Sequence, residues 1–113
     1  VWYYLYNWGG MATGWLWWNG DWYYLSEDGS MLANCWLLWN GNWYFFNRGG
    51  AMLADDWILW NDSWYYLSGD GVMITNQWVL WKGNWYYLTN SGKMAADTVI
   101  NGYTVNATGI WIA

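Results

Sequence analysis

The sequence predicts an all-β protein in which short β-hairpins stack into a β-solenoid, and three observations support this prediction. A 21-residue unit recurs along the chain, as the first tryptophans of successive units at 15, 36, 57 and 78 demonstrate. Each unit pairs two short aromatic or β-branched runs across a turn. No apolar period of about 3.6 residues is present, which argues against helices.

The repeat divides the chain into about five units. The four complete ones cover 13–33, 34–54, 55–75 and 76–96, preceded by a partial repeat at 1–12 and followed by a divergent C-terminal cap at 97–113. A lone hairpin is marginal in water, so the units must stack to bury their apolar faces. We therefore predict one solenoid domain over 1–113.

Turn residues separate the two runs of each unit, as in WLWW-NGD-WYYL and WLLW-NGN-WYFF. Asn-Gly between apolar runs predicts a type I′ turn, which needs positive φ at both central residues. The third unit has Asn61 and Asp62 instead, a less favourable pair. A Gly-containing stretch ahead of each recurring Met predicts the loop to the next hairpin. In the cap, TVI-NG-YTV predicts a last hairpin followed by a closing strand.

Composition excludes several classes of function. The net charge of −5, with only 3 basic residues, argues against nucleic acid, and no apolar run approaches the length of a membrane span. With no His and a single Cys, a nucleophilic triad is excluded. The acids occur in turns, where Asp is favoured locally, without a metal-ligand spacing. The sequence therefore predicts no catalysis, no metal and no cofactor.

The aromatic residues have two readings. Strand alternation puts Trp22 and Tyr24 on one face and Tyr23 and Leu25 on the other, with the Leu face inward. Stacked rings supply buried area to a fold without a globular core, which explains many of the 16 Trp and 11 Tyr. A recurring cluster of two Trp, one Tyr or Phe and one Met also suits a quaternary ammonium held by cation–π attraction.

The pattern GW-x4-G-x-WYY(L/F)-x3-G-x-M, seen from Gly14 to Met31, resembles the choline-binding (cell-wall-binding) repeat of Gram-positive surface proteins and their phages. The resemblance covers essentially the whole chain. It implies a left-handed β-solenoid of hairpins. It also implies that choline lies between consecutive repeats, held by two Trp of one hairpin and an aromatic residue of the next.

Carried over position by position, the resemblance implies three complete sites and two incomplete ones. The complete trios are Trp15, Trp22 and Phe45; Trp36, Trp43 and Tyr66; and Trp57, Trp64 and Tyr87. A fourth site would use Trp78 and Trp85 with Tyr103, and Trp2 with Tyr24 would belong to a site that needs an upstream Trp. The first Tyr of each WYY triplet is the alternative third ring. The candidates for the floor of the sites are Met31, Met52 and Met73, with ordinary core packing as the alternative.

The first strands depart from the family pattern, because they read LWW, LLW, ILW and VLW where polar residues usually alternate. Strands that are apolar on both faces are expected to be covered on both. The cover would be an absent domain, a further layer of the solenoid, or another copy of the chain in a homo-oligomer. The Gly before the first Trp also survives only at Gly14, and is replaced by Cys35, Asp56 and Gln77.

These observations together predict a secreted, cell-wall-associated attachment module without catalytic activity. Its expected partner is choline-decorated teichoic or lipoteichoic acid, bound through repeated cation–π cages. Two alternatives remain at this level. One is an α-glucan-binding module that stacks sugars on the same rings, and the other is a self-associating structural repeat protein.

Overall fold

A computed structural model describes residues 13–113, and within that part it contains ten β-strands and no helix. Each strand pairs with its sequence neighbour, giving five antiparallel two-stranded hairpins. The strands are β1 Gly14–Trp18, β2 Asp21–Leu25, β3 Cys35–Trp39, β4 Asn42–Phe46, β5 Asp56–Trp60, β6 Ser63–Leu67, β7 Gln77–Trp81, β8 Asn84–Leu88, β9 Thr98–Ile100 and β10 Tyr103–Val105. The predicted all-β hairpin architecture is confirmed. The predicted partial repeat 1–12, with Trp2, lies outside the described residues.

The described residues form two compact units, one that ends at residue 54 and one that covers 55–113. The first contains the β1–β2 and β3–β4 hairpins, and the second contains β5–β6, β7–β8 and β9–β10. No helix among the described residues is long and apolar enough to cross a membrane.

The predicted type I′ turns are confirmed, since both central residues of every hairpin turn have positive φ. Asn19 and Gly20, for example, have φ of 52° and 89°. Asn61 and Asp62 adopt the same geometry at 48° and 65°. Asp62 therefore holds a left-handed backbone without the freedom of glycine, which is a local cost in this turn.

A second recurring turn follows each hairpin. In the loop after β2, the Ser26 N–H donates to the Ser30 carbonyl and the Gly29 N–H donates to the Ser26 carbonyl, both at 2.8 Å. Hydrogen bonds from Ser26 and Ser30 hold the pKa of Asp28 down at about 2. The corresponding backbone bonds recur after β4, β6, β8 and β10. This repetition explains the regular Gly in the sequence, because Gly29 has φ of 85°.

The most buried positions are the last residues of the second strands, which are at most 1% exposed. These residues are Leu25, Phe46, Leu67, Leu88 and Val105. Each is flanked by its partner strand and by an isolated bridge to the following loop, such as Leu25 with Met31. The predicted inward orientation of this position is confirmed.

Successive hairpins are linked by the backbone of that loop. In the first unit the Met52 N–H donates to the Trp22 carbonyl at 2.8 Å, and in the second the Met94 N–H donates to the Trp64 carbonyl at 2.8 Å. At the C-terminus the Trp111 N–H donates to the Trp85 carbonyl at 2.9 Å. Trp111 also forms an isolated bridge to Val105, so the end of the cap packs on the last hairpin, but the closing strand predicted there is not formed.

The first strands are not covered in the way their apolar sequences predict. In each of the four complete repeats, one apolar side chain on the face of the first tryptophan remains more than half exposed, near the turn end of the hairpin. These are Trp17, Leu38, Leu59 and Leu80. Trp18 in β1 and Val99 in β9 are also more than half exposed. Each described hairpin therefore leaves apolar side chains that either solvent or a partner contacts.

Candidate functional site

The strand register divides the aromatic residues of each hairpin between two faces. In β5–β6, Trp57 is opposite Tyr66 and Leu59 is opposite Trp64, so these four side chains share a face. Equivalent pairs in β7–β8 are Trp78 with Tyr87 and Leu80 with Trp85. The other face carries the last residue of the first strand and the first Tyr of WYY. Within each unit, hairpins stack with the first kind of face against the second kind of face of the following hairpin, as the ring contacts below establish.

In the second unit, this stacking creates a cavity of about 450 Å³ between the β5–β6 and β7–β8 hairpins. Trp57 and Trp64 line it from the first hairpin, and Trp81 and Tyr86 from the second. The ring centroids of Trp57 lie 6.0 Å from Trp81 and 5.3 Å from Tyr86, both edge-to-face. Asp56, Met94 and Thr108 complete the lining. We call this the Asp56 cavity.

A second cavity of about 390 Å³ is lined by Trp78 and Trp85 together with Tyr103 and Trp111 of the C-terminal cap. We call it the terminal cavity. Its rings stand edge-to-face, with centroids 6.0 Å apart for Trp78 and Tyr103 and 6.3 Å for Tyr103 and Trp111. The structure thus brings together the three residues predicted for the fourth site and adds Trp111.

The first unit repeats the same contacts around Trp15. Its ring lies 6.1 Å from Trp22 of its own hairpin, and 5.5 Å from Trp39 and 5.1 Å from Tyr44 of the next. Trp17 stands 5.2 Å from Trp22, at a position where the other complete repeats have Leu. The aromatic cluster of this pair of hairpins is therefore denser than that around Trp57.

The predicted third rings require a correction. Phe45 packs against Trp36 of its own hairpin at 5.1 Å, whereas Tyr44 is the ring that meets Trp15. Likewise Tyr87 packs against Trp78 at 5.1 Å, and Tyr86 faces Trp57. The reason is strand alternation: Phe45 and Tyr87 are on the face of their own first Trp, and only the neighbouring residue faces the preceding hairpin. The alternative, the first Tyr of the triplet, is the one that the geometry supports.

For the trio of Trp36, Trp43 and Tyr66 the geometry is described only within each unit. Trp36 and Trp43 belong to the first unit, and Tyr66 packs at 5.0 Å against Trp57 in the second. A ligand site built from this trio stays a prediction.

The methionines also take places that differ from the predicted floor. Met31 packs on Gly50 and Met73 packs on Gly92, so closely that a Cβ on either glycine would meet a methionine Sδ at 2.7 Å or 2.6 Å. These two side chains fill the stack between loops. Met94, which the sequence reasoning left out, is the methionine that lines a cavity. The backbone N–H of Met52 donates to the Trp22 carbonyl, just as the backbone N–H of Met94 donates to the Trp64 carbonyl. Met52 is therefore the equivalent of Met94 in the first unit.

Sequence reasoning missed four further lining residues: Asp56, Trp81, Thr108 and Trp111. The signal for Trp111 was present, because it follows Gly109 at the spacing that places Met94 after Gly92. The signal for Trp81 was its alternation with Trp78, which puts it on the face toward the preceding hairpin. For Thr108 we find no sequence signal.

The second tryptophans form the open rim of these clusters. They are 40–43% exposed in all four complete hairpins. These residues are Trp22, Trp43, Trp64 and Trp85. Amphipathic rings that are half buried and half open are well placed to contact a small ligand without a change of fold.

The charges around the cavities are few. Asp56 lines the first cavity, and the Lys82 ammonium lies 4.7 Å from the centroid of the Trp81 ring that forms its far wall. No charged residue lines the terminal cavity. Within residues 13–113 no cluster of three or more His, Cys, Asp or Glu could hold a metal ion.

Comparison with known families places the chain. The family described as "Putative cell wall binding repeat" matches residues 13–31, 36–52 and 55–73, and the family described as "Choline-binding repeat" matches residues 80–111. The chain belongs to the choline-binding repeat proteins. The resemblance noted from Gly14 to Met31 is therefore confirmed for most of the chain.

Solved structures of the same family share its fold. Choline-binding protein F of Streptococcus pneumoniae, crystallised with a peptidoglycan analogue, is 39% identical with a TM-score of 0.85 over 99% of this chain and 37% of its own. CbpJ of Streptococcus pneumoniae is 34% identical, with a TM-score of 0.63 over 98% of this chain and 45% of its own. The modular Cpl-1 endolysin, also complexed with a peptidoglycan analogue, is 33% identical, with a TM-score of 0.72 over 89% and 31%.

The chain thus spans less than half the length of each of these relatives. No curated protein sequence matches the chain significantly.

Proposed function

We propose that this choline-binding repeat chain is a non-catalytic attachment module that binds the trimethylammonium head of choline in aromatic cavities between consecutive hairpins. Its partner would be the choline-bearing teichoic or lipoteichoic acid of a bacterial cell wall, and the protein would be secreted and associated with that wall. The stacking of hairpins within each unit supports a β-solenoid continued along the chain.

The observation that carries the proposal is the Asp56 cavity. Three indole rings and a phenol ring surround a space in the lower part of the range typical for small-ligand sites. Electron-rich ring faces attract a cation by about 0.5–2 kcal/mol each. Four such rings suit a methylated ammonium, which presents apolar methyl groups and a positive charge together.

Several weak cavities on one chain fit a repetitive polymer. An affinity on the order of 1 mM corresponds to about 4 kcal/mol, which is what a few cation–π contacts supply. When one choline of a polymer is bound, the next cavity meets its ligand at a raised effective concentration. The relatives crystallised with peptidoglycan analogues are consistent with a cell-wall partner.

Intrinsic tryptophan fluorescence tests the proposal directly, because the candidate walls are indoles. We expect a saturable change on titration with choline, with a midpoint on the order of 1 mM. The control is the carbon isostere of choline, in which a neutral tert-butyl group replaces trimethylammonium. Comparable binding of both would remove the cation–π mechanism. A response to dextran without one to choline would instead favour the α-glucan alternative.

A further inference from the structure

Asp56 occupies a position that no other described hairpin fills with an acid. It immediately precedes the first Trp of its hairpin and pairs with Leu67 across the strands. The residues in the equivalent positions are Gly14, Cys35, Gln77 and Thr98. The Asp56 cavity therefore has an acidic residue among its lining residues, which the terminal cavity lacks.

The carboxylate is held in place by the backbone. The Trp57 N–H donates to Asp56 Oδ1 at 2.8 Å, which leaves Oδ2 without a partner from that contact. Because the bond joins adjacent residues, it holds the carboxylate against the backbone of the cavity's first Trp. A fixed carboxylate loses less conformational entropy when it meets a cation than a freely rotating one does.

The field of Asp56 also reaches the aromatic cluster. Burial raises the pKa of Tyr66, and the negative charges of Asp55 and Asp56 raise it further. Tyr66 packs on Trp57 at 5.0 Å, so these two acids lie near a ring that contacts the cavity's first Trp. The opposing charge is Lys82, whose ammonium lies over Trp81 on the other hairpin.

From this arrangement we propose that Asp56 is a specificity-determining residue, which makes the Asp56 cavity select cations over neutral isosteres more strongly than the terminal cavity does. The inference rests on the proposed choline binding and deepens it. An ion pair that is partly open to solvent changes affinity by about twofold to fivefold. The rings of both cavities attract the methyl groups, and the carboxylate adds a contribution that only a charged ligand receives.

The test needs a signal from each cavity, which the side chains provide. The isotope-labelled methyl group of Met94 reports on the Asp56 cavity by nuclear magnetic resonance. The indole N–H of Trp111 reports on the terminal cavity. Each signal is assigned by its own conservative variant, Met94→Leu or Trp111→Phe. Choline and its neutral carbon isostere are then titrated in parallel at low salt.

Asp56→Asn removes the charge and keeps an oxygen that accepts the Trp57 N–H. We expect it to weaken choline binding at the Met94 signal about threefold, with no change for the isostere or at the Trp111 signal. Asp62→Asn is the matched control, because it removes the same charge from the turn of the same hairpin, outside the cavity. Asp62→Asn should leave the titrations of both ligands unchanged at both the Met94 and the Trp111 signal.

A gain-of-function variant tests the same position by adding an acid to a hairpin that lacks one there. Gln77→Asp places a carboxylate before the first Trp of the terminal cavity, and we expect it to raise choline affinity at the Trp111 signal about twofold to threefold. The inference would be overturned if Asp56→Asn lowered the affinities for choline and for the isostere equally. It would also be overturned if this variant left the affinity for choline unchanged. Failure of the unmodified protein to bind choline at either signal would instead overturn the proposed function, and this inference with it.

Discussion

The Asp56 cavity and the terminal cavity are made by the same stacking of hairpins, yet their walls differ. The first has Met94 at the position where the second has Trp111, and its lining includes Asp56, Trp81 and Thr108, which have no counterpart in the second. At that position the backbone N–H of both Met94 and Trp111 donates to the carbonyl of the second Trp of the preceding hairpin. The comparison teaches that the backbone relation between these hairpins is fixed, while the side chains that line each cavity vary.

The largest expected effect concerns the loop that supports Met94. Gly109 has φ of 89°, and a Cβ there would lie 2.6 Å from Met94 Cε. Gly109→Ala therefore combines a strained backbone with overpacking, and we expect the free energy of unfolding to fall by about 3 kcal/mol. Urea denaturation measures the loss.

Gly102→Ala is the matched control, because Gly102 has a similar φ of 87° and open space around its missing Cβ. Only the backbone strain remains there, so about 1 kcal/mol is expected. Equal losses in the two variants would mean that the packing of Met94 on Gly109 contributes nothing to stability.

The next effect separates the two cavities by their exposed rims. Trp64→Ala removes a ring from the Asp56 cavity alone, and we expect choline affinity at the Met94 signal to drop about tenfold, as for the loss of one cation–π wall. Trp85→Ala should do the same at the Trp111 signal. If either variant lowered choline affinity at both signals, the two cavities would not bind choline independently.

Exchanging the wall that differs between the cavities gives a smaller effect. Trp111→Met gives the terminal cavity the side chain that the Asp56 cavity has, and it keeps the backbone donor to Trp85. We expect choline affinity there to fall about threefold, because one aromatic face is lost and a polarizable thioether replaces it. Calorimetry in the Trp64→Ala background, with and without Trp111→Met, measures the difference. An increase in affinity would show that Trp111 obstructs the site.

The smallest effect is electrostatic. The pKa of Tyr66 is raised above its ordinary value of 10.0 by burial and by Asp55 and Asp56. The neutral phenol is favoured in the folded protein, so its contribution to stability is complete below about pH 10 and is lost as the pH rises through the raised pKa. Asp56→Asn should move this pKa down toward 10, as absorbance titration of the tyrosinate would measure. No movement would mean that the field of Asp56 does not reach the ring.

The exposed apolar side chains of the first strands bear on the last alternative from the sequence, a self-associating structural repeat protein. If copies of the chain meet through Leu59 and its equivalents, sedimentation velocity will reveal a concentration-dependent increase in size. Leu59→Lys would then reverse it. A concentration-independent monomer would remove self-association as a function.

The sequence by itself determined the local structure. Asn-Gly pairs predicted three of the five turns because few residues tolerate positive φ, and the repeat extended that prediction to Asn61-Asp62 and Lys82-Gly83. Strand alternation then assigned each ring to one face of its hairpin. The repeat also identified the family, since the spacing of Trp15, Trp22 and Met31 is a property of the chain and not of its packing.

Only the tertiary structure decided which face of one hairpin meets which face of the next. That choice moves the third ring from Phe45 and Tyr87 to Tyr44 and Tyr86, and it brings Asp56 and Trp111 into cavities. The physical reason is that alternation assigns side chains to the two faces of a hairpin, but it does not say which face packs on the preceding hairpin and which on the following one. The loop that links Met94 to Trp64 decides this, through a backbone hydrogen bond that no side-chain pattern records.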